Sequence, residues 1–142
     1  MAVLLDTDHP TILQRQSQPE CGRLAVRLGR LPADDIAASI VSFQEQMQGW
    51  MAYLNRARSG DRIVHAYAEL EAMWRSFCKM NVLSFTGKAQ DCFAELRRRR
   101  IRIATQDLRI ASIALATDSI LLTRNVQDFR QVPDLEVEDW TK

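Results

Sequence analysis

The sequence has few of the residues that build metal clusters, disulfide frameworks or phosphate-binding loops. Cysteine occurs three times, at widely spaced positions without a Cys-x-x-Cys pair, and histidine occurs only twice. Neither a disulfide scaffold nor a zinc site is expected, and a reducing cytoplasm is the expected location. The five glycines form no phosphate-cradling loop. Dinucleotide binding is therefore not expected either.

An excess of charge of one sign is also missing, because the formal net charge is +1 although 26% of the residues are charged. This balance excludes a disordered tail and a strongly basic nucleic-acid arm, so that any binding to nucleic acid must use a local patch. No apolar run has the length of a membrane span, and the N-terminus lacks the features of a secretion signal. A chain of 142 residues with 46% hydrophobic content suits one hydrophobic core. We expect a single domain over residues 1–142.

Apolar patterning predicts short strands that alternate with helices. We expect strands at residues 2–5, 36–41, 82–84, 120–123 and 135–137, helices at residues 20–31, 43–54, 61–79, 86–99 and 106–117, and a loop at residues 124–129. The alternation predicts an α/β fold with helices on both faces of a mostly parallel sheet, because parallel neighbours need crossover connections. Trp50 and Trp74 lie on apolar helical stripes and are predicted to be core or dimer contacts rather than surfaces on which bases stack.

Four carboxylates are predicted to meet at one edge of this sheet. Asp6 follows the first strand, Glu45 follows the second, Asp128 follows the fourth, and Asp107 lies at the start of the helix at residues 106–117. The carboxyl edge is where open parallel sheets bind ligands. Grouped carboxylates make each other harder to ionise, and a divalent cation relieves that repulsion. Oxygen ligands alone favour Mg²⁺ or Mn²⁺, present as one ion or two.

Most of these acids also have a local structural interpretation, as helix caps or turn residues. The alternatives are Asp8 as the N-cap of a helix that begins near Pro10, Ser42 with Glu45 as a capping box, Thr105 with Asp107 as a cap and first-turn acid, and Asn125 with Asp128 as Asx-turn residues. His9 stands beside the acidic motif, where it could tune a metal-bound water molecule, but its interpretation as a turn residue is favoured. Only Asp6 directly ends a buried strand, where little else would satisfy a carboxylate. The common position of the acids at one edge favours the functional interpretation.

Four segments, in their order and spacing, resemble the VapC-like PIN-domain ribonuclease toxins of type II toxin-antitoxin systems. They are LLDTD at residues 4–8, SxxExxxG at residues 42–49, DLRIA at residues 107–111 and LTRNxxDF at residues 122–129. The resemblance extends to Trp140 and so covers nearly the whole chain. The chain departs from the family pattern at Asp8, where asparagine is usual, and at Gln46, where an apolar residue is common.

The resemblance implies a three-layer PIN-like fold and a Mg²⁺- or Mn²⁺-dependent endoribonuclease that cleaves RNA with metal-activated water. By position it implies that the catalytic and metal-binding residues are Asp6, Glu45, Asp107 and Asp128, supported by Asp8, Thr123 and Asn125. It also implies a homodimer and a VapB-like antitoxin whose C-terminal segment enters the site.

A run of arginines, made up of Arg97, Arg98, Arg99, Arg100 and Arg102, is the one concentration of positive charge. It has two open interpretations, a phosphate-binding patch for RNA and a solvated helix end.

Two other functions also remain open at this point. An aspartyl-phosphate phosphatase of the HAD type would use Asp6 as nucleophile and Asp8 as acid, although Pro10 stands where that motif has threonine or valine. A non-catalytic PIN-fold RNA-binding module is the second.

Overall fold

The structure, a computed structural model, describes residues 2–9 and 19–142. The strands are β1 (Val3–Leu5), β2 (Ile36–Ser39), β3 (Asn81–Leu83), β4 (Ile120–Leu122) and β5 (Val137–Glu138). The helices are α1 (Glu20–Leu28), α2 (Ile40–Arg56), α3 (Gly60–Cys78), α4 (Gly87–Arg98), α5 (Thr105–Ala116) and α6 (Val126–Phe129), and a short 3₁₀ turn (Ala33–Asp35) precedes β2.

All five strands form one sheet in the order β3-β2-β1-β4-β5, and every neighbouring pair is parallel. The predicted α/β fold with a central parallel sheet is confirmed. β1 lies at the centre, with Val3 paired to Ile36 of β2 on one side and to Ile120 of β4 on the other. Because the strands are parallel, the residues that follow them share one edge of the sheet.

Helices cover both faces of the sheet, which makes three layers. Leu4 and Leu121 point to the face covered by α4 and α5, where they pack in a cluster with Phe93. Val3 and Leu5 point to the opposite face, which is covered by α1 and, beside β2, by α3. Burial on both sides explains why β1 and β4 are continuous apolar runs rather than alternating ones. Among the described residues, no helix is both long and apolar enough to cross a bilayer.

The change from β2 to α2 comes earlier than predicted. The Ser39 Oγ accepts a hydrogen bond from the Ser42 backbone N–H at 3.0 Å, so that Ser39 is the N-cap and α2 begins at Ile40. The predicted strand at residues 36–41 is therefore wrong at its end. The Ser42–Glu45 capping box is wrong as well, because Ser42 lies inside the first turn. A serine cap of this kind contributes about 1 kcal/mol to helix stability.

Two further local predictions are wrong. The predicted loop at residues 124–129 contains the one-turn helix α6, whose Phe129 is fully buried in the cluster around Leu4. Four residues are too few to show helical periodicity in a sequence. At the start of α5, Ala104 holds the N-cap position without a side-chain bond, and Thr105 is the first helical residue rather than a cap.

Candidate active site at the carboxyl edge of the sheet

Asp6 is fixed at the end of the central strand. Its backbone N–H donates to the Leu122 carbonyl at 2.9 Å, which continues the pairing of β1 with β4. Its two carboxylate oxygens accept one hydrogen bond each, from the Thr7 N–H at 2.8 Å and from the Thr123 hydroxyl at 2.7 Å. Only 8% of Asp6 is exposed. Burial raises the pKa of Asp6, and the two hydrogen bonds only partly oppose it.

Glu45 lies in the second turn of α2 and contacts the end of β1 through Thr7. The Thr7 hydroxyl donates to the Glu45 Oε1 at 2.8 Å and lies 3.2 Å from the Ser42 hydroxyl. Burial raises the pKa of Glu45, the hydrogen bond from Thr7 lowers it, and the negative charge of Asp6 raises it further. Glu45 is thus positioned by tertiary contacts rather than by a local helix cap.

Asp107 is the third residue of α5 and is half-buried. Burial and the negative charges of Asp6, Glu45, Asp128 and Asp8 raise its pKa to about 6. All the neighbouring charges that shift this pKa are negative. These acids come from four separate parts of the chain, and their charges act on the same side chain at the carboxyl edge of the sheet.

Asp128 occupies the outer side of the site, on α6. Its Oδ2 accepts a hydrogen bond from the Asn125 side-chain amide at 2.9 Å, in an exposed position. The Asn125 backbone N–H donates to the buried Thr123 hydroxyl at 2.9 Å. Because that hydroxyl also donates to Asp6, Thr123 connects the inner and outer parts of the site.

Asp8 and His9 form a pair beside this group. The His9 Nδ1 lies 2.9 Å from the Asp8 Oδ1, and His9 is fully buried while the Asp8 side chain is 47% exposed. His9 lies in the turn that follows β1, where its backbone N–H donates to the Asp6 carbonyl at 3.0 Å. The predicted cap position of Asp8 concerns a helix near Pro10 that lies outside the described residues.

The arginine run lies at the end of α4 and in the loop that follows. Arg98 donates two hydrogen bonds to Glu95, at 2.9 and 2.6 Å, and the Arg97 guanidinium lies 5.6 Å from the centre of the Phe93 ring. Arg99 and Arg100 are exposed, and so is Arg102. Their role in RNA binding stays a prediction.

Metal-binding potential rests on donor chemistry rather than on a preformed cluster. In residues 2–9 and 19–142, no three histidine, cysteine, aspartate or glutamate side chains are gathered closely enough to hold a metal ion between them. Oxygens of Asp6 and Glu45 instead accept hydrogen bonds from hydroxyl groups. The donor set still suits a hard cation, because it consists of carboxylate oxygens and the charges acting on Asp107 are uniformly negative.

Two residues that contact the site were not among the predicted site residues. Thr7 lies between the two acids of the first motif, and its hydroxyl connects β1 to Glu45. The Gln46 amide donates to the Thr7 carbonyl at 3.3 Å, beside the same acid. The only sequence signal for Gln46 was its departure from the apolar residue that the family often has there.

No protein-family model matches the sequence. The chain is nevertheless 27% identical to Ribonuclease VapC1 of Haemophilus influenzae (strain R2866), with all of both chains covered. It is 32% identical over 68 residues to Ribonuclease VapC2 of Rickettsia felis, a match that spans 45% of this chain and about half, 51%, of that relative.

Solved structures share the fold over nearly the whole chain. A chain of VapBC-1 from nontypeable Haemophilus influenzae gives a TM-score of 0.75 at 24% identity, with all of both chains covered. A chain of VapBC2 from Rickettsia felis, solved bound to a DNA fragment from their promoter, gives a TM-score of 0.73 at 21% identity, with 99% of each chain covered. The chain is VapC-like in sequence and in fold, which confirms the resemblance that its four motifs predict.

Proposed function

We propose that this chain is a VapC-type endoribonuclease that hydrolyses RNA phosphodiester bonds with the help of Mg²⁺ or Mn²⁺. The observation that carries the proposal is the position of its carboxylates at the carboxyl edge of the sheet, where hydrogen bonds fix Asp6 and Glu45. Burial and the charges of Asp6, Glu45 and Asp128 raise the pKa of Asp107 there to about 6. Full-length similarity to a protein named Ribonuclease VapC1 supports the activity.

Asp6, Glu45, Asp107 and Asp128 would hold the ion. Their chemistry fits, because they offer only oxygen donors and hard cations prefer oxygen. When bound, the ion supplies Lewis acidity and an activated water molecule. Asp107 accepts no side-chain hydrogen bond from a described residue, so its oxygens are open to a ligand.

The surrounding residues orient these carboxylates. The Thr7 hydroxyl donates to an oxygen of Glu45, and the Thr123 hydroxyl donates to an oxygen of Asp6. Each of these carboxylate oxygens keeps a further lone pair for a ligand. Without a cation, the group of acids repels a phosphate. RNA is therefore expected to bind productively at this edge only when a cation offsets the carboxylate charge.

The proposal includes a VapB-like antitoxin as the inhibitory partner, because structural neighbours of this chain are VapBC complexes. It also includes a homodimer that acts in the cytoplasm. Trp74 is 56% exposed and so is not a core residue, but it remains a predicted dimer contact. Trp50 is partly buried and packs against the cluster formed by Ala38, Met73 and Phe77.

The test is incubation of the purified full chain with total RNA, in Mn²⁺ or in EDTA, followed by mapping of the cut ends. We expect discrete cleavage in Mn²⁺ and none in EDTA. Asp107→Asn, purified identically, controls for contaminating nucleases. Cleavage that persists in EDTA, or that is equal in the variant, would contradict the proposal.

The same preparation separates the two alternative functions. A phosphatase of the HAD type hydrolyses p-nitrophenyl phosphate, whereas the proposed nuclease leaves it intact. A non-catalytic RNA-binding module binds RNA and cuts neither substrate. The VapC relatives favour neither alternative.

A further inference from the structure

A large groove runs between α2 and α3, outside the group of carboxylates. The two helices are joined by a short connection and pack side by side, and the groove along their seam has a volume of about 1010 Å³. Ligand pockets range from roughly 300 to 1,000 Å³, so this groove is at the upper end of that range. From Gln46 at one end to Arg56 at the other, α2 contributes roughly 15 Å of wall.

The groove is continuous with the candidate active site. Gln46 lines it, and its amide donates to the Thr7 carbonyl at 3.3 Å. The Thr7 hydroxyl in turn contacts Glu45 at 2.8 Å. A polymer that has one phosphate at the carboxylates can therefore continue directly into the groove.

The charge of the groove is opposite to that of the carboxylate group. Arg56, Arg75 and Lys79 line it, against a single acid, Glu69. Arg75 also pairs with Glu71 at 2.6 Å, but both side chains are more than half exposed. An ion pair as exposed as this contributes little free energy, so Arg75 can exchange Glu71 for a phosphate at little cost.

Aromatic rings form one wall of the groove. Trp50, Tyr53 and His65 contact one another edge to face, with ring centres 5.5 to 6.0 Å apart. Trp50 is anchored in the cluster around Met73, whereas Tyr53 is only partly buried and His65 is exposed. A cationic groove that also offers aromatic rings is how proteins hold single-stranded nucleic acid, because phosphates bind the cations and bases stack on the rings.

We propose that this groove is the path of single-stranded RNA beside the scissile phosphate, with Tyr53 as a stacking surface and Arg56 and Lys79 as phosphate contacts. The proposal rests on the proposed ribonuclease function for the position of the scissile phosphate. A peptide could fill the same volume, but the excess of cations and the ring wall favour an anionic chain with flat bases.

The test measures RNA binding without cleavage. The full chain is titrated in EDTA against a short fluorescent single-stranded RNA, and anisotropy is followed over a range of KCl concentrations. The double variant Arg56→Ala with Lys79→Ala removes two exposed charges from the groove. The matched control, Arg58→Ala with Arg62→Ala, removes two exposed charges from the same helical hairpin outside the groove.

We expect the groove variant to bind RNA more weakly than the control. The slope of log affinity against log salt should fall by about 1.4 in magnitude, because each phosphate contact to a single strand contributes about 0.7. Tyr53→Leu should weaken binding about fivefold or more with no change in salt slope, and Tyr53→Phe should restore the affinity, because stacking needs the ring and not the hydroxyl.

Equal affinity and salt slope in the groove variant and its control would overturn the proposal. A groove variant that keeps RNA affinity but no longer co-purifies with a co-expressed VapB-like antitoxin would also overturn it, and would assign the groove to a protein partner. If the wild type fails to cut RNA in Mn²⁺ while the binding effects hold, the groove stands and the nuclease proposal fails. If the wild type cuts RNA in Mn²⁺ but the groove variants bind RNA as the control does, the nuclease proposal stands and the groove proposal fails.

Discussion

The hydroxyl of Thr7 donates a hydrogen bond of 2.8 Å to Glu45, and so joins the end of the central strand to the second turn of α2. The same hydroxyl is 3.2 Å from that of Ser42. One small side chain therefore sets the position of an acid 38 residues away.

Thr7→Val should lower RNA cleavage, whereas Thr7→Ser should keep it. Loss of a hydrogen bond to a charged group costs roughly 1.5 to 3 kcal/mol, and the hydrogen bond that lowers the pKa of Glu45 disappears. The acid limb of the cleavage profile should therefore move to higher pH in the valine variant. Cleavage rates measured across pH for both variants check this, and identical profiles would show that Thr7 does not position Glu45.

Asp107→Asn should abolish cleavage and stabilise the metal-free protein. The loss of activity should exceed about a hundredfold, the upper end for residues that only orient a metal ligand. The gain in stability follows because the variant removes a charge that burial and four other acids disfavour. Urea unfolding in EDTA measures it, with Asp91→Asn on the exposed side of α4 as the control. If Asp107→Asn is less stable than the wild type, the expected repulsion between Asp107 and the other carboxylates is contradicted.

The metal-free protein should lose stability as pH rises from about 4 to about 6. The pKa of Asp107 is 3.8 in the unfolded chain and about 6 in the folded one, so the folded state binds more protons in this interval and the free energy of unfolding falls with pH. The raised pKa values of Asp6 and Glu45 act in the same direction. Urea titrations at several pH values in EDTA should give a flatter profile for Asp107→Asn. If stability changes with pH equally in the wild type and in Asp107→Asn, titratable groups other than Asp107 cause the dependence.

Mg²⁺ or Mn²⁺ should raise the melting temperature of the wild type more than that of Asp6→Asn. A ligand that binds only the folded state at a hundred times its Kd adds about 2.7 kcal/mol of stability. Asp6→Asn removes one of the proposed ligands and should shrink this effect. Thermal unfolding with and without metal measures both proteins, and equal shifts would place the bound ion elsewhere.

Thr123→Val should destabilise the protein by about 1 to 3 kcal/mol, because it leaves a buried carboxylate oxygen of Asp6 and the Asn125 N–H without their shared partner. Thr123→Ser keeps the hydroxyl and should lose much less stability. Chemical unfolding measures how much free energy of unfolding each of the two variants loses. A valine variant as stable as the serine variant would mean that this hydroxyl is not needed to satisfy Asp6.

The strands and the acids that follow them could be predicted from the sequence because they depend on local pattern. β1 and β4 are apolar runs that end at polar residues, and parallel strands bring such ends to a common edge. The contact of Thr7 with Glu45 could not be predicted, since it depends on how α2 approaches β1. The change from strand to helix was also ambiguous, because Ser39 and Ser42 are both plausible caps and the short apolar run at residues 40–41 fits either structure.

The central place of β1 has a consequence for synthesis of the protein. Val3 and Leu5 pair with Ile120 and Leu122, so that the innermost strand is made first but gains this partner only after more than a hundred further residues. Strands that lie this far apart in the sequence pair slowly during folding. A nascent chain on the ribosome therefore carries Asp6 without the Thr123 hydroxyl that orients it, and a chain interrupted before β4 should lack the proposed cleavage of RNA.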